Sequence, residues 1–372
     1  MIKRYKYIFL LLLILISCEK KPIYNYENRI LGDWIFENEI PKRKNYFYSD
    51  FGYSFAQNEN CVSKPGYFDT KEKNEKEERK TIFYGTKTKY RILDDSLYIF
   101  NLVSKKWDAS QIVEITSKNL KLKFEKNIIL NFSKVNYKEN KNESFDKIII
   151  SKSPCFGSCS INDIEINKNG GIYYHGSGYN TKNGFFKSKI EPKNFKEIEV
   201  DLKKTNFLNL KDNYSANWTD DQEVSITFVK DNKIIKTIKD YGRQSPKLFR
   251  ITIEPLTYLY QTLKLQENKK IKDFQELRYF SFEKANKIIT LSSSEAFFLY
   301  NLLSNSKTTN NTFTAKYFRD YETDFGIHRI ETDGRYFKMI PHNKNSYTLD
   351  LGFNFIEKNE LSKKLQLKTK YD

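Results

Sequence analysis

Cys155 and Cys159, four positions apart, are the residues whose type and spacing are best suited to chemistry in this chain. Close cysteine pairs oxidise to disulfides outside the cytoplasm, and this is the preferred interpretation. Two alternatives stay open. Redox-active pairs are usually C-x-x-C at a helix N-terminus, whereas three residues separate this pair. A structural zinc site needs four ligands, and Cys61 and the histidines lie far apart in sequence.

Acid–base catalysis has few candidate residues. The three histidines, His175, His328 and His342, are expected at the surface or in hairpins. Asp220 and Asp221 could form an acid–base pair, but adjacent strand residues point to opposite faces, so a turn or cap role is expected. The sequence has no nucleophile elbow, H-E-x-x-H helix or phosphate-binding loop. It therefore predicts no catalytic residue, no metal and no cofactor.

The length and the charge of the chain limit the classes of protein to which it can belong. A chain of 372 residues is long for a single core, so two or three domains are expected. The net charge of +17 would suit an anionic partner. Basic residues alternate with acidic ones, however, as in 71–80, and no nucleic-acid-binding motif accompanies them. Nucleic-acid binding is therefore not expected.

The first eighteen residues carry a basic head, an apolar run at Ile8–Ile16, and then Ser17 and Cys18. The run is too short to span a bilayer and is typical of a secretory signal. A cysteine directly after Leu-Ile-Ser resembles the lipobox of bacterial lipoproteins. That resemblance implies removal of a signal peptide (1–17) and acylation of Cys18, for example with palmitate, on a tether (18–28). The expected location is the cell envelope, at the outer membrane of a Gram-negative bacterium; an ordinary signal or an uncleaved anchor are the alternatives.

Residues 29–137 contain short alternating strands separated by turns, such as the strands at 88–93 and 96–100. This pattern predicts an antiparallel β-barrel or sandwich. Gly32 and Trp34 match the G-x-W of the first lipocalin strand, so the region resembles the lipocalin-like domains of bacterial lipoproteins. The resemblance implies a structural Trp34 that closes the barrel base. The barrel would then be either a packed scaffold or a container for a small apolar ligand.

A charged linker (138–144) leads to a second region, 145–268, with the order strand, cysteine motif, hairpin, helix, hairpin, helix. This order resembles an uncharacterised domain family of bacterial exported proteins marked by Pro-Cys-Phe/Tyr-Gly-x-Cys, here Pro154–Cys159. Thr219-Asp220 and Asp240–Gly242 also agree with that family. The order of elements predicts an α+β fold, and the resemblance carries no activity because none is established for that family.

The remaining region, 272–366, is predicted as a second small α+β domain. Ser292 and Glu295 have the spacing of a capping box before an apolar helix. Three closing strands are predicted at 327–330, 335–340 and 347–355. The fold class is therefore mixed and β-rich: an N-terminal antiparallel β-barrel or sandwich followed by two small α+β domains.

These observations together predict a lipid-anchored envelope protein that acts as a non-catalytic binding or structural module. Its expected partners are the membrane, through the lipid, and an envelope protein, a glycan or a small apolar ligand. One alternative is a carrier with a hydrophobic ligand inside the N-terminal barrel. The other is an envelope enzyme that uses Asp220 or the Cys155–Cys159 pair.

Overall fold

A computed structural model describes most of the chain after residue 25. The described residues are 26–43, 50–71, 79–125, 127–137, 143–268, 280–323, 326–342 and 345–369. The predicted signal peptide and Cys18 lie outside them. In these ranges, no helix combines the length and the apolar character that crossing a bilayer requires.

The N-terminal region forms a closed antiparallel barrel, so the barrel prediction is confirmed. Its strands follow one another as a meander in the order β1-β10-β9-β8-β7-β6-β3-β2, while β4 and β5 form a separate hairpin. The bounds are β1 Gly32–Ile40, β2 Gly52–Phe55, β3 Asn60–Ser63, β4 Phe68–Lys71, β5 Lys80–Phe83, β6 Lys87–Leu93, β7 Ser96–Asn101, β8 Lys106–Ile115, β9 Asn119–Glu125 and β10 Ile128–Lys134.

The barrel interior is packed with apolar side chains from alternate strand positions. Trp34 is fully buried among them, and its Nε1 donates a hydrogen bond to the Ile30 carbonyl at 2.6 Å. Ile30 ends a short helix, α1 (Tyr26–Ile30), so the last residues of the predicted tether are folded against the barrel rather than extended. Cys61 lies in the same core, where burial raises the pKa of its thiol to about 12.

The second sheet has the order β15-β17-β16-β11-β12-β13-β14-β18 and is antiparallel except for the β15–β17 pair. Four helical segments cover one of its faces: α2 (Pro192–Lys204), a 3-10 helix (Phe207–Asn209), α3 (Lys247–Ile253) and a second 3-10 helix (Glu254–Thr262). Its strands are β11 Lys147–Lys152, β12 Ile161–Asn167, β13 Gly171–Gly178, β14 Gly184–Lys189, β15 Asn213–Ser215, β16 Glu223–Lys230, β17 Lys233–Tyr241 and β18 Gln266–Glu267.

The central strand β11 is buried on both sides, which explains its unbroken apolar run. Ile148 and Ile150 pack in the core beneath α2 and α3. Ile149, which points to the opposite face, packs in the core of the C-terminal region. The second sheet is therefore a layer between two cores.

The third sheet has the order β21-β25-β24-β23-β22-β19-β20-β26. Its strands are β19 Ser281–Lys284, β20 Lys287–Thr290, β21 Lys307–Thr309, β22 Tyr317–Thr323, β23 Gly326–Thr332, β24 Tyr336–Ile340, β25 Tyr347–Asp350 and β26 Gln366–Leu367. The helices are α4 (Ser293–Ser304), α5 (Phe355–Lys358) and a 3-10 helix (Leu361–Lys364).

Two sequence-based expectations for this region have different outcomes. The predicted capping box forms, because Ser292 Oγ accepts a hydrogen bond from Glu295 N and the Glu295 carboxylate accepts one from Ser292 N. The predicted strand 347–355 is too long. It ends at Asp350, because the Asn354 side chain caps α5 and Phe355 is already helical.

Helix α4 lies against the second sheet through polar contacts. Ser294 N donates to Ser225 Oγ at 3.0 Å, and its hydroxyl lies 2.7 Å from Thr227 Oγ1. Further along, Asn301 Nδ2 donates to Glu165 Oε2 at 2.8 Å. The C-terminal region is therefore joined to the second sheet by hydrogen bonds as well as by apolar packing.

The barrel is joined to the second sheet and its helices by partly buried ion pairs and by the β4–β5 hairpin. Asp33 forms ion pairs with Lys64 and with Lys204 of α2, both at 2.8 Å. Burial alone would raise the pKa of Asp33, but the two ammonium groups outweigh it and hold that pKa well below its ordinary range. The Phe68 ring packs edge-on against Tyr258, with centroids 5.1 Å apart.

The predicted linker 138–144 enters the described residues only at 143–144. Glu143 is fully buried there, unlike a residue of a solvated linker. Phe145 follows it and packs against Phe228, with ring centroids 5.2 Å apart. This end of the segment therefore belongs to the core of the second sheet.

Candidate binding surface at the disulfide loop

The loop between β11 and β12 is closed by a disulfide between Cys155 and Cys159, whose Cα atoms are 5.9 Å apart. The preferred interpretation of this pair is thereby confirmed. With both sulfurs bonded to each other, neither is a thiolate that could ligate zinc. Cys61, the third cysteine considered for such a site, lies in the barrel core.

One side chain holds both ends of this disulfide loop. Gln222 Nε2 donates to the Ser153 carbonyl at 2.7 Å and to the Ser160 carbonyl at 3.0 Å. In the middle of the loop, Phe156 N donates to the Asp220 carbonyl at 3.1 Å. The loop is therefore fixed to the turn that precedes β16 as well as by its own disulfide.

A side chain at the end of β17 also holds this turn. Asp221 N donates to Tyr241 Oη at 3.0 Å, and Asp221 Oδ2 accepts a hydrogen bond from Trp218 Nε1 at 3.1 Å. Gly242 has a φ of +69°, and a Cβ at this position would lie 2.6 Å from Ala216 Cβ and 3.4 Å from the Trp218 ring. A glycine is therefore required for Ala216, two residues before Trp218, to lie where it does.

Three separate sequence features thus meet at one end of the second sheet: Pro154–Cys159, Thr219-Asp220 and Asp240–Gly242. Asp240 has a structural role there, because its buried carboxylate accepts hydrogen bonds from Gln244 N at 2.6 Å and Ser245 N at 3.1 Å. We call the solvent-facing part of this end, formed by 154–159 and 217–221, the loop surface.

The loop surface exposes two aromatic side chains. Phe156 is 89% exposed and its backbone N–H is held by a hydrogen bond, whereas Trp218 is 51% exposed and its indole Nε1 is held by one. Single exposed apolar residues are common, but rigid aromatic side chains are the usual anchors of protein interfaces. The arrangement is suited to binding.

The charges beneath the loop surface are already paired. Burial would lower the pKa of Lys152, but the Glu254 carboxylate at 4.0 Å and Tyr258 Oη at 3.1 Å keep it above its ordinary value. Glu254 also accepts a hydrogen bond from Arg243 Nη1 at 3.1 Å. Lys152 is thus held as an ammonium, which is unsuited to act as a base.

The acids considered for catalysis have turn roles. Asp220 has a φ of +71°, in the left-handed region, and its carboxylate accepts a hydrogen bond from Thr219 Oγ1 at 3.2 Å. The Asp221 carboxylate accepts from its neighbour Gln222 N at 2.7 Å as well as from Trp218. Both carboxylates therefore organise the turn.

The histidines are placed differently from one another. His175 is more buried than expected, because its ring stacks on Phe185 with centroids 3.9 Å apart and its Nδ1 lies 3.2 Å from Asp163 Oδ2. His328 stacks on Tyr321, with centroids 5.2 Å apart, and His342 is exposed.

Sequence reasoning missed Gln222 and Trp218. Nothing in a sequence marks a glutamine whose amide will join the two ends of a loop some 60 positions away. A signal for Trp218 was present, since a tryptophan directly before Thr-Asp-Asp lies in a stretch of turn-forming residues, where a large aromatic side chain has no strand or helix to bury it.

The described residues form a β-rich protein with a barrel, two eight-stranded sheets, a separate hairpin and a disulfide-closed, aromatic loop surface. Residues 146–260, which include the loop surface, match a family described as "Domain of unknown function (DUF6438)". This match confirms that the second region resembles an uncharacterised domain family. Among solved structures, an uncharacterized protein from Bacteroides eggerthii is 13% identical, over 28% of this chain and 98% of that chain, with a TM-score of 0.18. No curated protein matches.

Proposed function

We propose that this chain is a lipid-anchored, non-catalytic protein of the cell envelope that binds a partner protein through the loop surface. The main support for this proposal is that Phe156 is exposed on a loop held in place by a disulfide, by Gln222 and by the Asp220 carbonyl. The backbone of such a loop loses little conformational freedom on binding, so little of the gain from burying the ring is offset by ordering the loop.

The anchor part of the proposal rests on the sequence around Cys18. A Cys155–Cys159 disulfide is compatible with it, because such bonds persist in exported proteins and are rare in the cytosol. The barrel, with its lipocalin-like Gly32 and Trp34, would be a scaffold that holds the second sheet. Large side chains fill its interior, which favours a scaffold over a carrier of a hydrophobic ligand.

Two variants, each replacing an exposed apolar side chain with serine, test the binding surface. Phe156→Ser removes the exposed aromatic ring of the loop surface. Ile327→Ser removes a 64% exposed apolar side chain from the third sheet and serves as a matched control. After crosslinking in intact cells and tagged purification, the partner should be recovered with wild type and Ile327→Ser. Loss of a hot-spot aromatic costs about 2 kcal/mol or more, which is about 30-fold in affinity. Equal recovery with Phe156→Ser would refute the proposal.

The anchor is tested separately by Cys18→Ser. Wild type should incorporate labelled fatty acid and fractionate with membranes, because two or three acyl chains hold a protein firmly to a bilayer. The variant should do neither. Unchanged labelling and membrane association of the variant would show that Cys18 is not the anchor, and would leave the test at Phe156 unaffected.

A further inference from the structure

A cleft of about 680 Å³ lies between the second and third sheets, near the C-terminal end of α4. Its size is in the range of small-molecule sites. It is lined by residues of β11, β12, β13, the turn between β16 and β17, α4, β21, β25 and the segment after β25. Five of the lining residues are asparagines, so we call it the amide cleft. They are Asn167, Asn169, Asn232, Asn301 and Asn305.

The floor of the amide cleft is a buried carboxylate with its charge balanced. Glu165 is 1% exposed. Its Oε1 lies 3.5 Å from Lys147 Nζ, and its Oε2 accepts a hydrogen bond from Asn301 Nδ2 at 2.8 Å. At the rim, Asp350 is balanced by Arg335 at 2.9 Å. Apart from the single ammonium of Lys307, a strongly charged ligand would therefore find no matching excess of charge here.

The walls of the amide cleft offer several uncommitted polar groups. Among the described residues, the Tyr173 hydroxyl, the Asn232 side chain and the Lys307 ammonium have no hydrogen-bonding partner. The Asn305 side chain donates to the Asn301 carbonyl, which leaves its oxygen as an acceptor. Donors and acceptors are thus both available at the walls.

Apolar surface lies beside these polar groups. The Tyr173 ring, Leu302 and Phe353 line the same cleft and are partly buried. A ligand with many hydroxyl groups and an apolar C–H face would match this combination. It would hydrogen-bond to amides, hydroxyl and ammonium while its ring face lies on the aromatic walls.

We propose that the amide cleft binds a short, uncharged oligosaccharide. The site lies outside the loop surface and uses none of its residues, so it would add a second ligand to the proposed protein partner. Tyr173 and Lys307 would contact sugar hydroxyls, and the Glu165–Lys147 pair would form the polar floor.

Saturation-transfer NMR on the purified protein tests this with triacetylchitotriose, cellotriose and maltotriose at up to about 5 mM, a concentration that detects millimolar binding. At least one trisaccharide should bind. Tyr173→Phe, which removes one hydroxyl, should weaken binding about 2- to 12-fold, the value of one hydrogen bond. Lys307→Met, at an exposed position, should weaken it similarly, and Phe156→Ser should leave it unchanged.

Three results would overturn the proposal. One is the absence of binding by all three trisaccharides. Another is binding that neither Tyr173→Phe nor Lys307→Met alters, in variants that unfold at the wild-type temperature. The third is displacement of the sugar by inorganic phosphate at equal concentration, which would identify an anion site.

Discussion

Removal of the disulfide should loosen the loop surface without unfolding the second sheet. Cys155 and Cys159 close a loop of five residues. The entropy of closing such a loop is about 7 cal/mol/K, or about 2 kcal/mol at room temperature. The double variant Cys155→Ala/Cys159→Ala should therefore favour local opening of the loop by about 30-fold. Gln222 still holds the two ends, so the opening stays local.

Native-state hydrogen exchange measures this opening at one amide. Phe156 N–H is bonded to the Asp220 carbonyl, so it exchanges only when the loop leaves the turn. Its exchange should become about 30-fold faster in the double variant. Amides of β11 should be unchanged, because that strand is paired on both sides and buried on both faces.

A second variant, Gln222→Leu with the disulfide intact, should also speed up the exchange of the Phe156 amide, because it releases the carbonyls of Ser153 and Ser160. The reasoning would be refuted if removal of both cysteines changed the exchange of Phe156 by less than about 3-fold. It would equally be refuted if the amides of β11 accelerated as much as Phe156.

Three further predictions concern buried groups. Asp33→Asn leaves the buried Lys64 ammonium without its carboxylate and should cost about 3–5 kcal/mol in urea unfolding. Since the pKa of Asp33 is lowered in the folded state, wild type should lose this stabilisation as pH falls below about 4. The variant should lose less stability over the same pH range, because only its other carboxylates, such as Asp350, still contribute. Cys61 should resist iodoacetamide at about pH 8 until the protein is denatured, as counted by mass spectrometry, because burial raises its pKa to about 12. Gly242→Ala should push Ala216 away, move the segment that carries Trp218 and shift the tryptophan fluorescence, at a cost of about 1–3 kcal/mol.

The parts of the fold that local patterns determine could be predicted from the sequence. Alternation and turn residues indicated the barrel meander, and Asp94, with a φ of +54°, indeed turns β6 into β7. The spacing of Ser292 and Glu295 gave the start of α4 correctly. Each of these signals lies within a few residues of the structure that it specifies.

Features that depend on distant partners could not be predicted. The partial burial of His175 depends on Phe185, which in turn packs against the C-terminal core, and the sequence near His175 contains no trace of either contact. Phe355 looked like the end of a strand because the capping role of Asn354 competes with alternation over the same residues. The two cysteines predict the disulfide of the loop surface, but the approach of this loop to the turn at Trp218 depends on the pairing of β11 with β16.

The central claim is that the loop surface binds a partner protein, and site-specific photocrosslinking tests it most directly. A photoreactive phenylalanine analogue at position 156 should crosslink in living cells to one envelope protein, and Trp218→Ser should abolish that product. The same analogue at position 327, which is also exposed, should give no such product. A crosslinking pattern at position 156 that matches the one at position 327 would contradict the account.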